Sequence, residues 1–283
     1  MGQKNDKTIS VHAIIKTTKP VVTEDNIATL GIVEQVGTAT TSFSGSPENR
    51  KHNISVGAQA LNGVIVKPGE GFSTLKNLGK IDQTSGYLPE LVIKVNKTIP
   101  EYGGGLCQVS TTLFRATMNS GLKITERQNH RYRVGYYEPP VGMDATIYEG
   151  SPDFKFVNNY ANSVLIQSSV AGTKITFDIY GKNDGRRVEL STPSVYEVVN
   201  PPDSEYTNTD TLPEGTTKRI ESAHPGASAS FTYMVYKEDG STLTKQTFVS
   251  KYVPWQAKYL RGTAKPADAI PSPTPTPSTS STP

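Results

Sequence analysis

The chain has 283 residues, of which 35% are hydrophobic, and its formal net charge is +3. This length suits about two domains, and the apolar content is enough for ordinary hydrophobic cores. The charges are mixed and contain no basic block, which argues against a nucleic-acid partner. Tyr outnumbers Phe by 14 to 8, a composition that favours half-exposed β structure.

The two ends of the chain bear on its compartment. No apolar stretch approaches the ~18 residues of a membrane span, and the start has no apolar signal core. Residues 264–283 are rich in Pro, Ser and Thr, so we expect an extended, solvated tail. Such tails are typical of wall-spanning spacers. We therefore expect a trimmed ectodomain at the extracellular face of the cell envelope, with any membrane anchor lying N-terminal to this sequence.

The first part of the chain is predicted to be α+β, with a mixed or antiparallel sheet and a few helices. Hydrophobic periodicity predicts helices over 23–30, 49–62 and 108–120. Alternation predicts strands over 8–16, 64–66, 91–97, 132–137, 145–148, 153–157, 164–168 and 174–180. A turn-rich linker at 182–193 leads to a second, all-β unit, in which Asp239-Gly240 predicts a hairpin between 231–236 and 242–249.

Cys107 is the only cysteine, and it follows the glycine run Gly103–Gly105 where the chain enters a predicted helix. Glycines let backbone N–H groups converge, and a helix start adds unpaired N–H donors and the positive end of its dipole. Such surroundings can lower a thiol pKa from about 8.5 to between about 3.5 and 7.5. The alternative, a small buried hydrophobe at a tight turn, is common for an isolated cysteine. The glycine run favours a nucleophile.

A cysteine nucleophile needs a base, and the chain has four histidines. His12 lies in the leading strand and His224 in the C-terminal unit, so both are poor candidates. His130 lies at a strand junction after the cysteine's helix, a position that can return near the helix start; the alternative is a surface histidine at a strand end. His52, on an earlier helix, is expected to be structural or to support the site indirectly.

A series of short motifs follows between residues 36 and 181. They are Arg50–Ile54, Val66–Ser73, Gly103–Leu113, Glu126–Arg127 with His130, Tyr136–Pro140 with Gly142 and Asp144–Thr146, and Asp153–Phe156. Each is weak alone, but their order and spacing resemble the VanW family. The C-terminal unit, residues 194–263, resembles a G5 domain, an extended β module of bacterial surfaces. Residues 1–35 are similar to the end of the peptidoglycan-binding-like domain that often precedes VanW.

The resemblance implies a wall-facing protein, as in Gram-positive bacteria, whose partners are peptidoglycan stem peptides and wall glycan. Some VanW domains act as L,D-transpeptidases, which form 3-3 cross-links through a cysteine nucleophile. Carried over by position, Cys107 would be the nucleophile and His130 its base. The backbone N–H groups of Gly104, Gly105 and Gln108 are expected to stabilise the oxyanion. No cofactor is expected.

Other polar residues receive supporting roles. Asp144 is the first choice for orienting the imidazole, because it follows a proline and glycine turn; a plain turn aspartate is the alternative. The residues expected to hold the substrate are Arg127, Arg131, Ser110 and Tyr136. Arg50 is a further candidate, with a solvated helix charge as its alternative, and Ser110 can equally cap the helix without touching substrate.

Two other functions fit the same residues. A wall-binding or scaffolding protein would recognise stem peptides without turnover, although it has little need for a thiol at a glycine-rich helix start. A cysteine hydrolase would form the same acyl-enzyme and resolve it with water. A metal site is disfavoured because one cysteine and four scattered histidines lack ligand spacing. The C-terminal unit carries no candidate catalytic group.

Overall fold

The computed structural model describes residues 29–94 and 97–265, which contain three α-helices and sixteen β-strands. Three predicted segments lie outside the described residues: the strand over 8–16, nearly all of the helix over 23–30, and the tail from residue 266. Within the described ranges, no helix has the length and apolar character needed to cross a membrane. An α+β N-terminal part followed by an all-β C-terminal part confirms the predicted fold class.

The helices are α1 (Glu48–Leu61), α2 (Thr74–Leu78) and α3 (Leu106–Asn119). The strands of the N-terminal part are β1 (Glu34–Ser42), β2 (Val64–Val66), β3 (Gly71–Ser73), β4 (Pro89–Lys94), β5 (Lys97–Tyr102), β6 (Lys123–Glu126), β7 (Lys155–Val157), β8 (Val164–Ala171) and β9 (Lys174–Gly181). Those of the C-terminal part are β10 (Arg187–Leu190), β11 (Ser194–Val199), β12 (Glu205–Pro213), β13 (Thr217–Glu221), β14 (Gly226–Tyr236), β15 (Thr242–Tyr252) and β16 (Lys258–Ala264).

The main sheet of the N-terminal part has four antiparallel strands in the order β1-β9-β8-β2. Strand β9 alternates fully buried Ile175, Phe177 and Ile179 with more exposed residues, as expected of a sheet with one apolar face. Helices α1 and α3 pack on this sheet. The interior of α3 has neither Pro nor Gly, and Val109 and Leu113 on it are fully buried.

A close approach between α1 and α3 fixes the start of α3. A Cβ atom added to Gly57 on α1 would lie 2.4 Å from Cδ2 of Leu106, the first residue of α3. A larger residue would therefore require the Leu106 side chain to move. The glycine thus gives room for the side chain of the residue that precedes Cys107.

The remaining strands form smaller sheets. In the N-terminal part, β3, β7 and β6 make an antiparallel sheet, and β4 and β5 form a hairpin. In the C-terminal part, β14 pairs with β10, β11 and β15, and all these pairs are antiparallel. Strands β12, β16 and β13 form a second sheet, in which β12 and β16 run parallel.

Two predicted strands, over 132–137 and 145–148, are wrong. The first contains a short 3-10 helix at Gly135–Tyr137. The second pairs with no strand of the described residues, and its backbone groups bond to side chains and a loop instead. The N–H of Ala145 donates to Thr111 Oγ1 at 3.0 Å, and the N–H of Thr146 donates to the carbonyl of Gln128 at 2.8 Å. Extended chain and strand share the same alternation, so the pattern alone does not separate them.

The hydrophobic core continues from the N-terminal part into the C-terminal part. Phe231, Tyr233 and Phe248 on β14 and β15 belong to the same buried cluster as the apolar face of α3. The Phe248 ring meets Phe114 of α3 edge-on, with centroids 5.5 Å apart. The Tyr233 hydroxyl donates to the carbonyl of Leu122 at 2.9 Å. The hairpin of β14 and β15 therefore completes the core around α3.

We expect Phe248→Ala to destabilise the whole chain by about 3–5 kcal/mol, because it removes a buried ring from a core shared by both parts. Val249→Ala, one residue along the same strand but 49% exposed, serves as the control and should change stability by about 0.5 kcal/mol or less. Denaturant unfolding of both variants measures the difference. Equal stabilities would show that the hairpin does not support the core.

Candidate active site

The glycine turn before α3 places Cys107 at the first turn of that helix. Gly105 has a φ of 113°, a left-handed conformation that disfavours residues with a Cβ atom. A Cβ atom there would also lie 2.9 Å from Cγ of Arg50. The buried Asn53 side chain of α1 donates to the carbonyl oxygens of Gly104 (3.0 Å) and Leu88 (2.9 Å). The turn is therefore fixed by α1 as well as by its own conformation.

The Cys107 sulfur is partly exposed and contacts the segment after Asp144. Its Sγ atom lies 3.5 Å from Thr146 Oγ1 and 3.5 Å from the carbonyl oxygen of Ile147. On the helix side, the buried hydroxyl of Ser110 donates to the carbonyl of Ala145 at 2.6 Å. The extended segment 145–147 is thus held against the start of α3, where it passes beside the thiol.

His130 is held by Asp144 and interacts with Cys107. Its Nδ1 lies 2.6 Å from Asp144 Oδ2, and its backbone N–H donates to the same oxygen at 2.7 Å. Because a carboxylate accepts, Nδ1 carries the proton and Nε2 is left for the thiol. The ring stacks on Tyr137 with centroids 4.9 Å apart, and 14% of the side chain remains exposed.

Thiol and imidazole shift each other's pKa. Burial by itself raises the pKa of Cys107, but the charge of His130 and a hydrogen bond with it outweigh burial and lower the pKa to about 7. Burial lowers the pKa of His130, and the Cys107 thiolate together with Asp144 outweighs it and raises that pKa to about 10. Between these two values the pair is a thiolate and an imidazolium, the reactive form of a cysteine nucleophile.

Asp144 is a buried carboxylate with donors on both oxygens. Oδ1 accepts from the Tyr252 hydroxyl at 2.5 Å and from Arg127 at 3.3 Å, while Oδ2 accepts from His130. Burial raises the pKa of Asp144, but the bonds from His130 and the charges of His130 and Arg127 hold it well below its usual range. Asp144 therefore stays ionised and orients the imidazole.

The backbone donors around the thiol differ in availability. The N–H of Gln108 donates to the carbonyl of Gly105 at 2.9 Å, so the prediction that Gln108 supplies an oxyanion donor is wrong. Its side chain is also buried, between Arg50 and Thr41. Outside the helices and strands of residues 29–94 and 97–265, no backbone hydrogen bond is donated by Gly104 or Gly105. The oxyanion role of these two N–H groups stays a prediction.

Two residues predicted to hold substrate are instead parts of the scaffold. Only 2% of the Arg127 side chain is exposed, and its guanidinium donates to Asp144, to the carbonyl of Gly142 and to Ser250. Ser110 is fully buried against Ala145. Neither side chain reaches solvent, because burial makes each of them bond to the protein itself. The prediction of substrate contacts is therefore wrong for both.

Other predicted residues lie at different places around the thiol. Arg50 is buried rather than solvated, and its guanidinium stacks on the half-buried ring of Tyr136 at 3.8 Å. Arg131 is exposed. His52 lies on the exposed face of α1, and its Nε2 bonds to the carbonyl of Gly86 at 2.8 Å. Within the described part of the chain, His52 shows no contact with the thiol.

A cleft of about 540 Å³ opens beside the loop that follows His130. Its lining includes Tyr132, Arg133 and Tyr136 on one side and Glu221, His224 and Trp255 on the other. Cys107 lies outside this cleft, and Tyr136 connects the cleft to Arg50. Among the described residues, no group of three His, Cys, Asp or Glu side chains is close enough to hold a metal ion.

Three residues around the site, Tyr137, Ile147 and Tyr252, had no role predicted from the sequence. Tyr137 lies within the motif Tyr136–Pro140, and Ile147 directly follows the motif Asp144–Thr146. Their positions in the sequence could therefore have identified both residues. Tyr252 lies in the C-terminal part, and its hydroxyl bonds to a residue 108 positions earlier in the chain. No local pattern links the two.

We expect Cys107 to react with iodoacetamide with a midpoint near pH 7, because the imidazolium of His130 stabilises the thiolate. Reactivity should rise as the pH increases through that value, since the lowered pKa releases the proton there. In His130→Ala the midpoint should move upward, because the charge and the hydrogen bond that oppose most of the effect of burial are lost. His52→Ala serves as a matched control that leaves the midpoint unchanged. A midpoint at or above about 8.5 in the unsubstituted chain would contradict the expectation.

A family model matches the part of the chain that carries Cys107, His130 and Asp144. Residues 49–180 match the family model described as "VanW like protein". The uncharacterized protein YoaR of Bacillus subtilis is 37% identical over 150 residues, which is 53% of this chain and 49% of YoaR. The vancomycin B-type resistance protein VanW of Enterococcus faecalis is 35% identical over 137 residues, 47% of this chain and 50% of that protein. The chain spans about half the length of these two relatives.

Two solved structures of G5 domains are also similar to part of this chain. The G5 domain of IgA1 protease covers 30% of this chain with 14% identity and a TM-score of 0.18. The HP0197 G5 structure covers 27% with 15% identity and a TM-score of 0.15.

The family match spans α1, α3, the main-sheet strands β2 and β8, nearly all of β9, and the loops that carry His130 and Asp144. Residues 49–180 of this chain are a VanW-family domain.

Proposed function

We propose that the chain is a cysteine-dependent acyltransferase, an L,D-transpeptidase that forms 3-3 cross-links between peptidoglycan stem peptides. The observation that carries the proposal is the arrangement of Cys107, His130 and Asp144. A partly exposed thiol with a pKa lowered to about 7 lies beside an imidazole that a buried carboxylate orients. Nucleophile, base and orienting group are the parts that covalent acyl transfer needs.

In the first half-reaction, the Cys107 thiolate attacks the carbonyl carbon between the third and fourth residues of a donor stem. The carbonyl electrons move to oxygen, where N–H groups at the start of α3 and in the preceding glycine turn stabilise the charge. The tetrahedral intermediate collapses by breaking the C–N bond. His130, protonated at Nε2, gives its proton to the leaving D-Ala amine. A thioester on Cys107 remains.

In the second half-reaction, the side-chain amine of an acceptor stem attacks the thioester carbonyl. Neutral His130 takes the proton that the amine loses. The C–S bond breaks, the new amide is the 3-3 cross-link, and the thiolate and imidazolium are restored. Asp144 keeps the imidazole in one tautomer throughout, because its carboxylate accepts from Nδ1.

The choice of substrate rests on the family. The resemblance to VanW domains implies stem peptides, and one relative's name connects that protein with vancomycin resistance. Exposed Arg131 and half-buried Tyr136 are the predicted substrate contacts that remain accessible. We accordingly place the protein at the extracellular face of the cell envelope, with stem peptides and wall glycan as its partners.

The decisive assay uses purified disaccharide-tetrapeptides and mass analysis of the products. We expect dimers whose mass shows the loss of D-Ala, formed by the unsubstituted chain and absent with Cys107→Ala. Tripeptide monomers alone would mean that water resolves the thioester, and the protein would be a hydrolase. An absence of any product, with retained binding to isolated wall, would favour the scaffold.

Cys107 and His130 should act as one unit. Cys107→Ala and His130→Ala should each remove most turnover, and the double variant should be little slower than either single variant. His52→Ala provides the matched control. This variant should retain most activity, because the His52 imidazole bonds to Gly86. Independent, multiplicative losses from the two substitutions would contradict a shared step.

A further inference from the structure

The VanW-family match ends at residue 180, yet the site it contains extends beyond that point. Tyr252, the last residue of β15, is 7% exposed, and its hydroxyl donates to Asp144 Oδ1 at 2.5 Å. On the same strand, Ser250 accepts from Arg127 at 3.0 Å, and Arg127 also donates to Asp144. Strand β15 therefore supplies one bond to the carboxylate directly and supports a second one.

The end of β15 is also anchored to the loop that carries His130. The N–H of Val253 donates to the carbonyl of Arg131 at 2.8 Å, and the side-chain amide of Asn129 donates to the carbonyl of Lys251 at 2.9 Å. These two bonds flank both Tyr252 and His130. The end of β15 and the loop around His130 thus form one connected structure.

We propose that Tyr252 is a positioning residue for the Cys107–His130–Asp144 site, so that the C-terminal β unit completes the site of the VanW domain. The inference deepens the proposed function and rests on it. The hydroxyl holds the carboxylate in the rotamer that points Oδ2 at the backbone N–H and at Nδ1 of His130. Without it, Oδ1 keeps only the longer bond from Arg127, and the carboxylate can turn toward that guanidinium.

The charged surroundings of these groups determine the sign of the effect. Asp144 faces His130, Arg127 and Arg115, and Tyr252 also faces Arg133. These arginines remain in place when the tyrosine hydroxyl is removed.

On the other side, Cys107 faces His130 and Tyr137, and Tyr137 in turn faces Arg50. A displaced carboxylate stabilises the imidazolium less, so less positive charge lies beside Cys107 at a given pH. The Cys107 pKa should therefore rise when the Tyr252 hydroxyl is lost.

The test is the pH dependence of iodoacetamide alkylation in the full chain, which needs no peptidoglycan and no turnover. In Tyr252→Phe we expect the midpoint to move up and alkylation below it to slow about two- to tenfold, as fits the loss of one hydrogen bond. The matched control is Tyr233→Phe, which removes a buried hydroxyl bond from the same hairpin to Leu122, away from Asp144. The control should keep the midpoint of the unsubstituted chain.

A second background separates positioning from general loosening of the fold. In Asp144→Asn the tyrosine has no carboxylate to position, so adding Tyr252→Phe should shift the midpoint no further. An unchanged midpoint in Tyr252→Phe would overturn the proposal, as would an equal shift in Tyr233→Phe or a full further shift in the Asp144→Asn background. A protein that shows this shift yet makes no cross-links would retain the proposal about Tyr252 and lose only the proposed reaction.

Discussion

A buried carboxylate needs compensation from nearly every direction, and Asp144 receives it from two distant parts of the chain. The loop after β6 supplies the backbone N–H and the Nδ1–H of His130 and the guanidinium of Arg127. Strand β15 supplies the Tyr252 hydroxyl. Leaving any donor out would expose the fold to an uncompensated charge, so the same bonds that make the carboxylate tolerable also orient the imidazole. Stability and site geometry depend on one group.

The segment that follows Asp144 transmits this constraint to the thiol. Ala145 bonds to Ser110 and Thr111 on α3, and residues 146 and 147 lie against the sulfur. Helix α1 fixes the other side through Asn53 and the close approach at Gly57. The thiol is therefore positioned by packing on both sides, which suits a site that must hold a thiolate and an imidazolium together.

Local features of the sequence were enough to predict some elements of the fold and the position of the thiol. The glycine run predicted the start of α3 and the position of Cys107, and the Asp239-Gly240 turn predicted the hairpin of β14 and β15. The roles given to His130 and Asp144 stay predictions, as do the domain boundaries, although the core crosses the linker at 182–193. The errors at 132–137 and 145–148 lie in segments whose sequence alternates like that of a strand, although the first contains a 3-10 helix and the second is held by side chains and a loop.

The sequence by itself determined helices α1 and α3, most strands of the main sheet and the place of the thiol, because periodicity and turn chemistry act over a few residues. Only the tertiary structure decided which polar groups are free. Arg127, predicted to bind substrate, lies beneath the site as a partner of Asp144, and Ser110 faces inward to Ala145. Tyr252 joins the site from the C-terminal part. Burial and charge compensation arise from contacts between distant residues, and no local pattern records them.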